Sequence, residues 1–241
     1  MGNKVIGKVG PKLGIYEESN DAQLSASLGQ ERVLEDGRKF RLCFANGALT
    51  AGVLVQSAAP NAYDDELIVN TAAAAGDKEI EVTVTSGHGG YDANWLKDGY
   101  VMVTKGTDVI GTFYKIKAHD AMVATTTATI ELYDGLTYAI AVSDEVCVAQ
   151  NPYKDVITGT TTAPVIGVPL RAVQDNYYFW AQFAGVGPGI DSGSGMSAGG
   201  YVTHSGGDLA VQAGSEDGTV GMIINTVDAN EGCIVGYTGL G

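Results

Sequence analysis

The chain contains little positive charge. Its 241 residues include 14 Lys and Arg against 28 Asp and Glu, so the formal net charge is −14. Binding to a nucleic-acid backbone or to an anionic membrane surface depends on clustered Lys and Arg. We therefore expect neither nucleic acid nor a membrane among the partners of this protein.

Long apolar runs are also missing. The most apolar stretches, such as Leu67–Val69 and Val220–Ile224, are far shorter than the roughly 18–20 residues that cross a bilayer. The first stretch, Met1–Gly14, is polar and interrupted by glycine, which predicts no secretory signal. Hydrophobic residues nevertheless make up 45% of the chain, so we expect a folded core rather than wholesale disorder.

Cysteine is scarce and scattered. Cys43, Cys147 and Cys233 are isolated, and no two cysteines are separated by only two residues. This pattern predicts neither a structural zinc site nor a disulfide framework. Each cysteine lies in an apolar, strand-like run, so we expect buried free thiols and no metal or other cofactor.

Helical periodicity is nearly absent, and strand periodicity takes its place. In Lys78–Thr85 the apolar residues, among them Ile80 and Val82, alternate with polar ones, which is typical of a half-buried strand. The same pattern recurs in Tyr100–Thr104, Gly111–Lys117, Thr127–Leu132 and Glu145–Ala149. Turn pairs such as Asp98–Gly99 separate these segments. The sequence therefore predicts an all-β fold of short antiparallel strands, in β-sandwich or small β-barrel domains, with an extended N-terminal arm.

Composition also suggests how the chain is divided. Residues 1–25 are polar and predict the extended N-terminal arm. Residues 26–70 and 165–241 share Gly-rich strands and loops, so we assign them to one β domain, with residues 77–150 inserted as a second β domain. Residues 151–164 include a low-complexity stretch and are predicted to be a linker.

Three short motifs resemble catalytic or ligand-binding patterns, and none of them is complete. Gly193–Ala198 spells a dinucleotide-like GxGxxA, but a strand-like run follows it instead of a helix. Asp191–Gly193 resembles the surroundings of a catalytic serine, but the three histidines of the chain are scattered. Asp228–Gly232 resembles the start of a calcium loop and lacks the later ligands. We therefore predict no catalytic and no metal-binding residues.

An aromatic run occurs in the last part of the chain, where the pattern predicts a strand over Tyr177–Phe183. Alternation along a strand places Phe179 on one face and both Tyr178 and Trp180 on the other. The second face is either core or, if nothing covers it, a contact patch for a partner, because Tyr and Trp are enriched at interfaces.

Short strand–turn phrases recur in both flanking parts of the chain. They are Leu34–Arg41, Ala48–Gln56, Gly167–Val173, Tyr178–Gly185 and the end of a glycine-dense tail at Ile234–Tyr237. Together with the polar arm that precedes them, these phrases are similar to those of the capsid decoration (cement) proteins of tailed bacteriophages. The resemblance covers roughly half of the chain and does not need residues 77–150.

This resemblance implies an all-β structural protein of the virion, without catalytic activity, on the exterior of the capsid. It implies the phage major capsid protein as partner and a homotrimer as the assembly. An arm that becomes ordered on binding would cover much of a neighbour's surface. The residues we predict at interfaces are the apolar anchors of the arm and the second face of the aromatic strand: Val5, Ile6, Leu13, Ile15, Tyr16, Tyr178 and Trp180.

Two other functions remain open at the level of sequence. A tail or head-fibre subunit that binds host surface glycans needs aromatic side chains beside polar ones, and Tyr91–Asp92 with Asn94–Trp95 is a candidate cluster. A polysaccharide hydrolase needs paired carboxylates, for which Asp64, Asp65 and Glu66 are candidates. The simpler interpretation of these three residues is a solvated acidic loop.

Overall fold

All regular secondary structure in the described part of the protein is β. The computed structural model describes residues 11–160, 163–193, 195–211 and 219–240, and these residues form seventeen antiparallel strands and no helix. This confirms the predicted all-β fold class. The strands are β1 (Glu18–Ser19), β2 (Glu31–Val33), β3 (Lys39–Phe44), β4 (Val55–Gln56), β5 (Leu67–Val69), β6 (Glu79–Thr83), β7 (Tyr100–Lys105), β8 (Phe113–His119), β9 (Thr127–Leu132), β10 (Glu145–Ala149), β11 (Ile157–Thr158), β12 (Val165–Pro169), β13 (Tyr178–Ile190), β14 (Tyr201–Ser205), β15 (Asp208–Val211), β16 (Thr219–Ile223) and β17 (Gly232–Tyr237).

The chain forms two compact units. The first comprises Met1–Ala59 with Pro152–Gly241, and the second comprises Pro60–Asn151. Eleven strands of the first unit form one sheet, whose main path is β11-β4-β12-β13-β17-β16-β14-β15. Six strands of the second unit close into a barrel in the order β10-β5-β6-β9-β8-β7. Closure removes the free sheet edges that otherwise invite pairing with other chains.

The interior of the barrel follows from the alternation seen in the sequence. On β6 the side chains of Ile80 and Val82 are fully buried, whereas Glu79 is exposed. Ile80 lies opposite Ile130 of β9, so inward-facing residues of neighbouring strands meet in one core. Each such side chain contributes about 1.5–3 kcal/mol on burial.

Strand β13 organises the first unit. Its first half pairs with β1, β3 and β12, and its second half pairs with β17. The register against β3 shifts between Gln182 and Ala184. At this irregularity the buried amide of Gln182 donates hydrogen bonds to the carbonyl groups of Ala184 (3.2 Å) and Val186 (2.9 Å). These bonds fix the point at which the strand changes partners.

Both units repeat one arrangement of backbone hydrogen bonds outside the strands. Two residues, most of them buried, exchange reciprocal N–H···O=C bonds of 2.8 to 3.0 Å, and we call such residues a bridge pair. The bridge pairs are Leu49 with Val173 and Met196 with Val227 in the first unit, and Ala73 with Ile140 and Tyr91 with Met122 in the second. A loop that is paired in this way does not leave its polar groups unsatisfied where apolar side chains exclude water.

A tight turn follows each member of a bridge pair. The third residue after it always has a positive φ, and these eight residues are Gly52, Gly76, Asn94, Thr125, Ser143, Asn176, Gly199 and Asn230. A turn with positive φ at its third position reverses the chain within four residues. Strands β9, β10, β13, β14 and β17 each begin two residues after such a position. The bridge pairs therefore determine where these strands start.

Side chains reinforce several turns. In an arrangement that we call a turn box, the N–H of the first residue donates to the side-chain oxygen of the fourth, and the N–H of the fourth donates to the carbonyl of the first. The turn boxes are Gly14 with Glu17, Ser27 with Gln30, Asn61 with Asp64, Ala74 with Asp77, Ala141 with Asp144, and Asp228 with Glu231. Part of the high acidic content thus stabilises turns.

We predict that Thr125→Gly stabilises the second unit. Thr125 is exposed and has a φ of 67°, which a β-branched residue rarely adopts and glycine adopts without strain. Relief of this strain should raise the free energy of unfolding by about 1 kcal/mol, even though glycine makes the unfolded chain more flexible. Urea unfolding followed by Trp95 fluorescence, in a Trp180→Phe background that leaves one tryptophan, measures this change.

Gly76→Ala is the matched substitution, and we expect it to change the free energy of unfolding of the second unit in the opposite direction. The φ of Gly76 is 96°, and a Cβ there would meet no atom within 4 Å, so the substitution tests the backbone conformation alone. We expect it to lower the free energy of unfolding by about 1–2 kcal/mol. A loss of stability in Thr125→Gly, or no loss in Gly76→Ala, would contradict the role assigned to the positive-φ position.

Candidate interaction surfaces

The segment that follows residue 10 packs on its own unit. Leu13 is buried in a cluster with Leu24, Phe40, Leu42 and Trp180. The indole Nε1–H of Trp180 donates a hydrogen bond to the carbonyl oxygen of Leu13 at 3.0 Å. The guanidinium of one further residue, Arg32, donates to the same carbonyl at 3.0 Å. These contacts fix the position of the chain at Leu13.

The aromatic strand has two covered faces. Phe179 belongs to a core cluster against which Tyr177 packs, and Trp180 belongs to a separate cluster against which Tyr178 packs. The predicted alternation is therefore confirmed. The second face is covered by the chain's own N-terminal segment, with Leu13 against it, so Trp180 is only 5% exposed.

An ion pair and a short strand hold the same segment a few residues later. Glu18 and Ser19 form β1 and pair with Phe179 and Tyr178 of β13. The Glu18 carboxylate accepts hydrogen bonds from the guanidinium of Arg171 (3.0 Å) and from the backbone N–H (2.7 Å) and side-chain amide (3.2 Å) of Gln174. Because the carboxyl group of Glu18 is mostly shielded from water, this contact is less screened than a surface ion pair.

The predicted interface residues occupy different environments. Val5 and Ile6 lie outside the described residues. Ile15 is partly buried against the Leu13 cluster, whereas Tyr16 is 57% exposed. Tyr178 is half-buried, and its ring is tilted against that of Phe44 with 4.7 Å between the ring centroids. The role of these residues at an interface stays a prediction.

The acidic loop contains a buried polar cluster that the sequence did not indicate. The Asp64 carboxylate accepts hydrogen bonds from the backbone N–H of Asn61 (2.8 Å) and the hydroxyl of Tyr91 (2.9 Å), and its other oxygen lies 3.1 Å from Nε2 of His88. Asp64 and His88 are both buried. The expectation of a solvated loop is therefore wrong for Asp64, because these three partners replace its water.

The tautomer of His88 follows from its neighbours. The backbone N–H of Gly90 donates to Nδ1 of His88 at 2.9 Å, so Nδ1 carries no proton. The ring proton is then on Nε2 and is donated to Asp64. His119 is held similarly, since its Nε2 accepts the backbone N–H of Leu96 at 2.8 Å. Both rings serve as hydrogen-bonding links between loops.

Burial dominates the protonation behaviour of this cluster. Desolvation raises the pKa of the Asp64 carboxyl, and the hydrogen bonds from Tyr91, Asn61 and His88 oppose that rise. Desolvation and the neighbouring Asp64 also raise the pKa of Tyr91. Because its pKa is raised, the Tyr91 hydroxyl keeps its proton and donates it in the hydrogen bond to the Asp64 carboxylate. Such a bond is suited to a structural role.

The side chains predicted for a glycan or hydrolase site are not gathered around an open cleft. Tyr91 and Trp95 are partly buried against the barrel core, and the Asn94 side chain accepts the backbone N–H of His119 at 3.1 Å. Asp65 and Glu66 are exposed, whereas the Asp64 carboxylate is bonded to Asn61, Tyr91 and His88 and so links parts of the chain.

A second buried carboxylate shapes the glycine-rich loop of the first unit. One oxygen of Asp191 accepts the backbone N–H groups of Gly193 (3.1 Å), Gly195 (2.9 Å) and Asn230 (3.1 Å). The motif that resembles a serine site is therefore a turn held around an acidic side chain. It also connects to Asp228–Gly232, the segment that resembles a calcium loop, through Asn230.

Metal and thiol chemistry have little support in the described residues. No group of three or more His, Cys, Asp and Glu side chains converges there to hold a metal. Cys43 and Cys233 are buried free thiols, as predicted, and Cys147 is half-buried. Desolvation raises the pKa of Cys43. No described helix is long and apolar enough to span a membrane.

One exposed apolar surface was missed by the sequence analysis. It lies on the outer side of the first unit's sheet, and we call it the exterior face. Its members are Val186, Tyr201, Met222, Ile224 and Ile234, which are 44% to 62% exposed. Met222 lies opposite both Tyr201 and Gly236, and Gly236 lies opposite Val186, so the face extends across four strands. The signal in the sequence was that both alternating sets of residues in β16 and β17 lack charge.

We predict that Asp64→Asn destabilises the second unit by about 1–3 kcal/mol, the usual cost of leaving a buried polar group unsatisfied. An amide has one acceptor oxygen in place of two, whereas Asn61, His88 and Tyr91 all donate to this side chain. Unfolding followed by Trp95 fluorescence in the Trp180→Phe background measures the effect.

Asp65→Asn is the control, because Asp65 is exposed beside the cluster. We expect this substitution to change the free energy of unfolding by less than about 0.5 kcal/mol. Equal stability of the two variants would contradict a structural role for Asp64.

The described residues thus offer internally bonded polar clusters, an anchored N-terminal segment and one apolar face. Comparisons of the chain with protein-family models, with curated proteins and with solved structures found no match.

Proposed function

We propose that this chain is a structural protein of a tailed-bacteriophage virion, without enzymatic activity. It binds the outer surface of the icosahedral head as a capsid decoration (cement) protein and stabilises the shell by bridging neighbouring major capsid proteins. The resemblance of the flanking segments suggests this role. The observation that carries it is the fastening of the N-terminal segment at Leu13 and at Glu18–Ser19 on the central strand of the first unit.

This fastening makes the preceding residues suitable as a tether. The first ten residues include Lys4 and Lys8 and no acidic residue, in a chain of net charge −14. They also carry the apolar anchors Val5 and Ile6. Ten residues reach at most about 35 Å when extended, which is enough to contact a neighbouring subunit. In the proposed role, Val5 and Ile6 are the apolar side chains that the neighbouring subunit would bury.

A cement protein must also resist deformation. In the first unit a pull on the arm would load the Leu13 contacts with Trp180 and Arg32 and then the pairing of β1 with β13. Strand β13 is itself hydrogen-bonded to β3, β12 and β17. The closed barrel of the second unit, with its two bridge pairs, is suited to the same demand.

The polar clusters favour this role over a glycan-binding fibre or a hydrolase. Tyr91 and Asp64 bond to each other, and Asn94 bonds to the backbone of His119, so these side chains are engaged in linking loops. A sugar site needs such groups directed towards solvent. The partner in our proposal is the major capsid protein, and the assembly is a homotrimer on the capsid exterior.

Deleting residues 1–10 should weaken attachment to shells at least tenfold and leave both units folded, because Leu13 and its contacts remain. Co-sedimentation of the purified protein with empty shells of its major capsid protein measures attachment. Trp180 fluorescence, measured in a Trp95→Phe background, reports whether the first unit is intact, since Trp180 contacts Leu13.

A variant in which residues 1–10 are replaced by ten Gly and Ser residues separates the chemistry of the arm from its length. We expect it to behave like the deletion. Undiminished shell occupancy by both variants would refute the role of the arm, and failure of the full-length protein to bind shells would refute the decoration function.

A further inference from the structure

We infer that Asn46 is a latent modification site, at which the backbone nitrogen of Gly47 displaces the side-chain amide, and that the carboxylate of Asp175 keeps this site closed in the folded protein. The sequence contains one Asn–Gly pair, Asn46–Gly47. Glycine has no side chain to obstruct the approach of its nitrogen to the preceding residue. Asn46 is exposed, so water reaches the product of the attack.

The reaction is a cyclisation followed by a hydrolysis. The nitrogen of Gly47 loses its proton and forms a bond to the side-chain carbonyl carbon of Asn46, and the side-chain nitrogen takes up a proton and leaves as ammonia. Water then opens the five-membered imide at either of its two carbonyl groups. One product has aspartate at position 46, and in the other the main chain continues through the side-chain carbon. Asparagine is accordingly a thermolabile residue.

Two hydrogen bonds hold the peptide groups on either side of the Asn46 Cα atom. The N–H of Asn46 donates to the carbonyl of Val156 at 2.9 Å, and the N–H of Gly47 donates to Oδ1 of Asp175 at 2.6 Å. The attack must break the second bond, because the nitrogen gives up the proton that this bond contains. The carboxylate also opposes the negative charge that the nitrogen then carries, since like charges repel.

The fold holds Asp175 in this position. Its Oδ2 accepts a hydrogen bond from the side-chain amide of Asn176 at 2.9 Å, and the backbone N–H of Asn176 donates to the carbonyl of Ala45 at 3.1 Å. The bridge pair of Leu49 and Val173 joins the same two segments. The carboxylate therefore meets the Asn–Gly pair in the folded first unit, whereas nothing holds it there in the unfolded chain.

Modification would weaken the turn in which it occurs. Both products carry a new carboxylate at residue 46, next to the peptide group that Asp175 binds, and the two like charges repel. The second product also lengthens the main chain by one carbon between β3 and Leu49. We therefore expect modified molecules to unfold at a lower urea concentration than unmodified ones.

The test is the rate of modification of the full chain at mildly alkaline pH, measured by peptide mapping with mass spectrometry. We expect Asn46 to be modified more slowly in the folded wild type than in the wild type unfolded in urea. Folded Asp175→Ala should be modified about fivefold faster than the folded wild type, the factor that corresponds to one hydrogen bond of ordinary net strength. Asp175 is exposed, so this substitution leaves the core intact.

Glu35→Ala is the matched control, since Glu35 is another exposed carboxylate of the first unit, and it should leave the rate unchanged. The double variant Asn46→Gln, Asp175→Ala should show no modification at this position, because glutamine would have to form a larger ring. Circular dichroism, together with Trp180 fluorescence in the Trp95→Phe background, checks that each variant is folded.

Two results would overturn the inference. One is an equal rate in the folded and the unfolded wild type, which would mean that the fold does not close the site. The other is a folded Asp175→Ala variant that is modified no faster than the wild type or Glu35→Ala. Neither result depends on binding to a shell, so the inference and the proposed function are tested separately.

Discussion

Pairing of backbone groups outside the strands is the constraint on which both units depend. A chain without helices in its described part must satisfy the N–H and C=O groups of many loops where they cross a core. The bridge pairs do this with two reciprocal bonds each, for example between Ala73 and Ile140. The arrangement requires a positive φ three residues later, which favours Gly and Asn, the residues at six of the eight positions. The same local solution serves an open eleven-stranded sheet and a closed barrel.

Much of the barrel could be predicted from sequence, because its strands have one buried and one solvated face. Thr127–Leu132 and Glu145–Ala149 were predicted with the bounds that the structure has. In the first unit the pattern ended the aromatic strand at Phe183, whereas β13 continues to Ile190. The continuation is rich in glycine, a composition that suggests a loop. The glycines are instead needed because neighbouring side chains pack closely against this part of the strand. A Cβ on Gly189 would lie 2.3 Å from a methyl carbon of Leu209.

The polar clusters could not be predicted, because each depends on contacts between residues far apart in the chain. Asp64 stands in an acidic run that indicates solvent, and only the approach of His88, 24 residues later, buries it. The turns that follow the bridge pairs did leave a signal. An apolar residue is followed three positions later by Gly, Asn, Ser or Thr, as in Val173 to Asn176. That signal is visible only when several turns are compared, since each one alone is a common combination of residues.

Strand β13 connects the point at which the N-terminal segment is fastened with the exterior face. Its first residues pair with Glu18–Ser19, where the arm is fastened, and its later residue Val186 belongs to the exterior face. The two sites are thus joined by one continuous strand, which pairs with β3 in its first half and with β17 in its second half. In the decoration role that we propose, this continuous pairing would connect the fastened N-terminal segment to the rest of the sheet when the shell is under outward pressure.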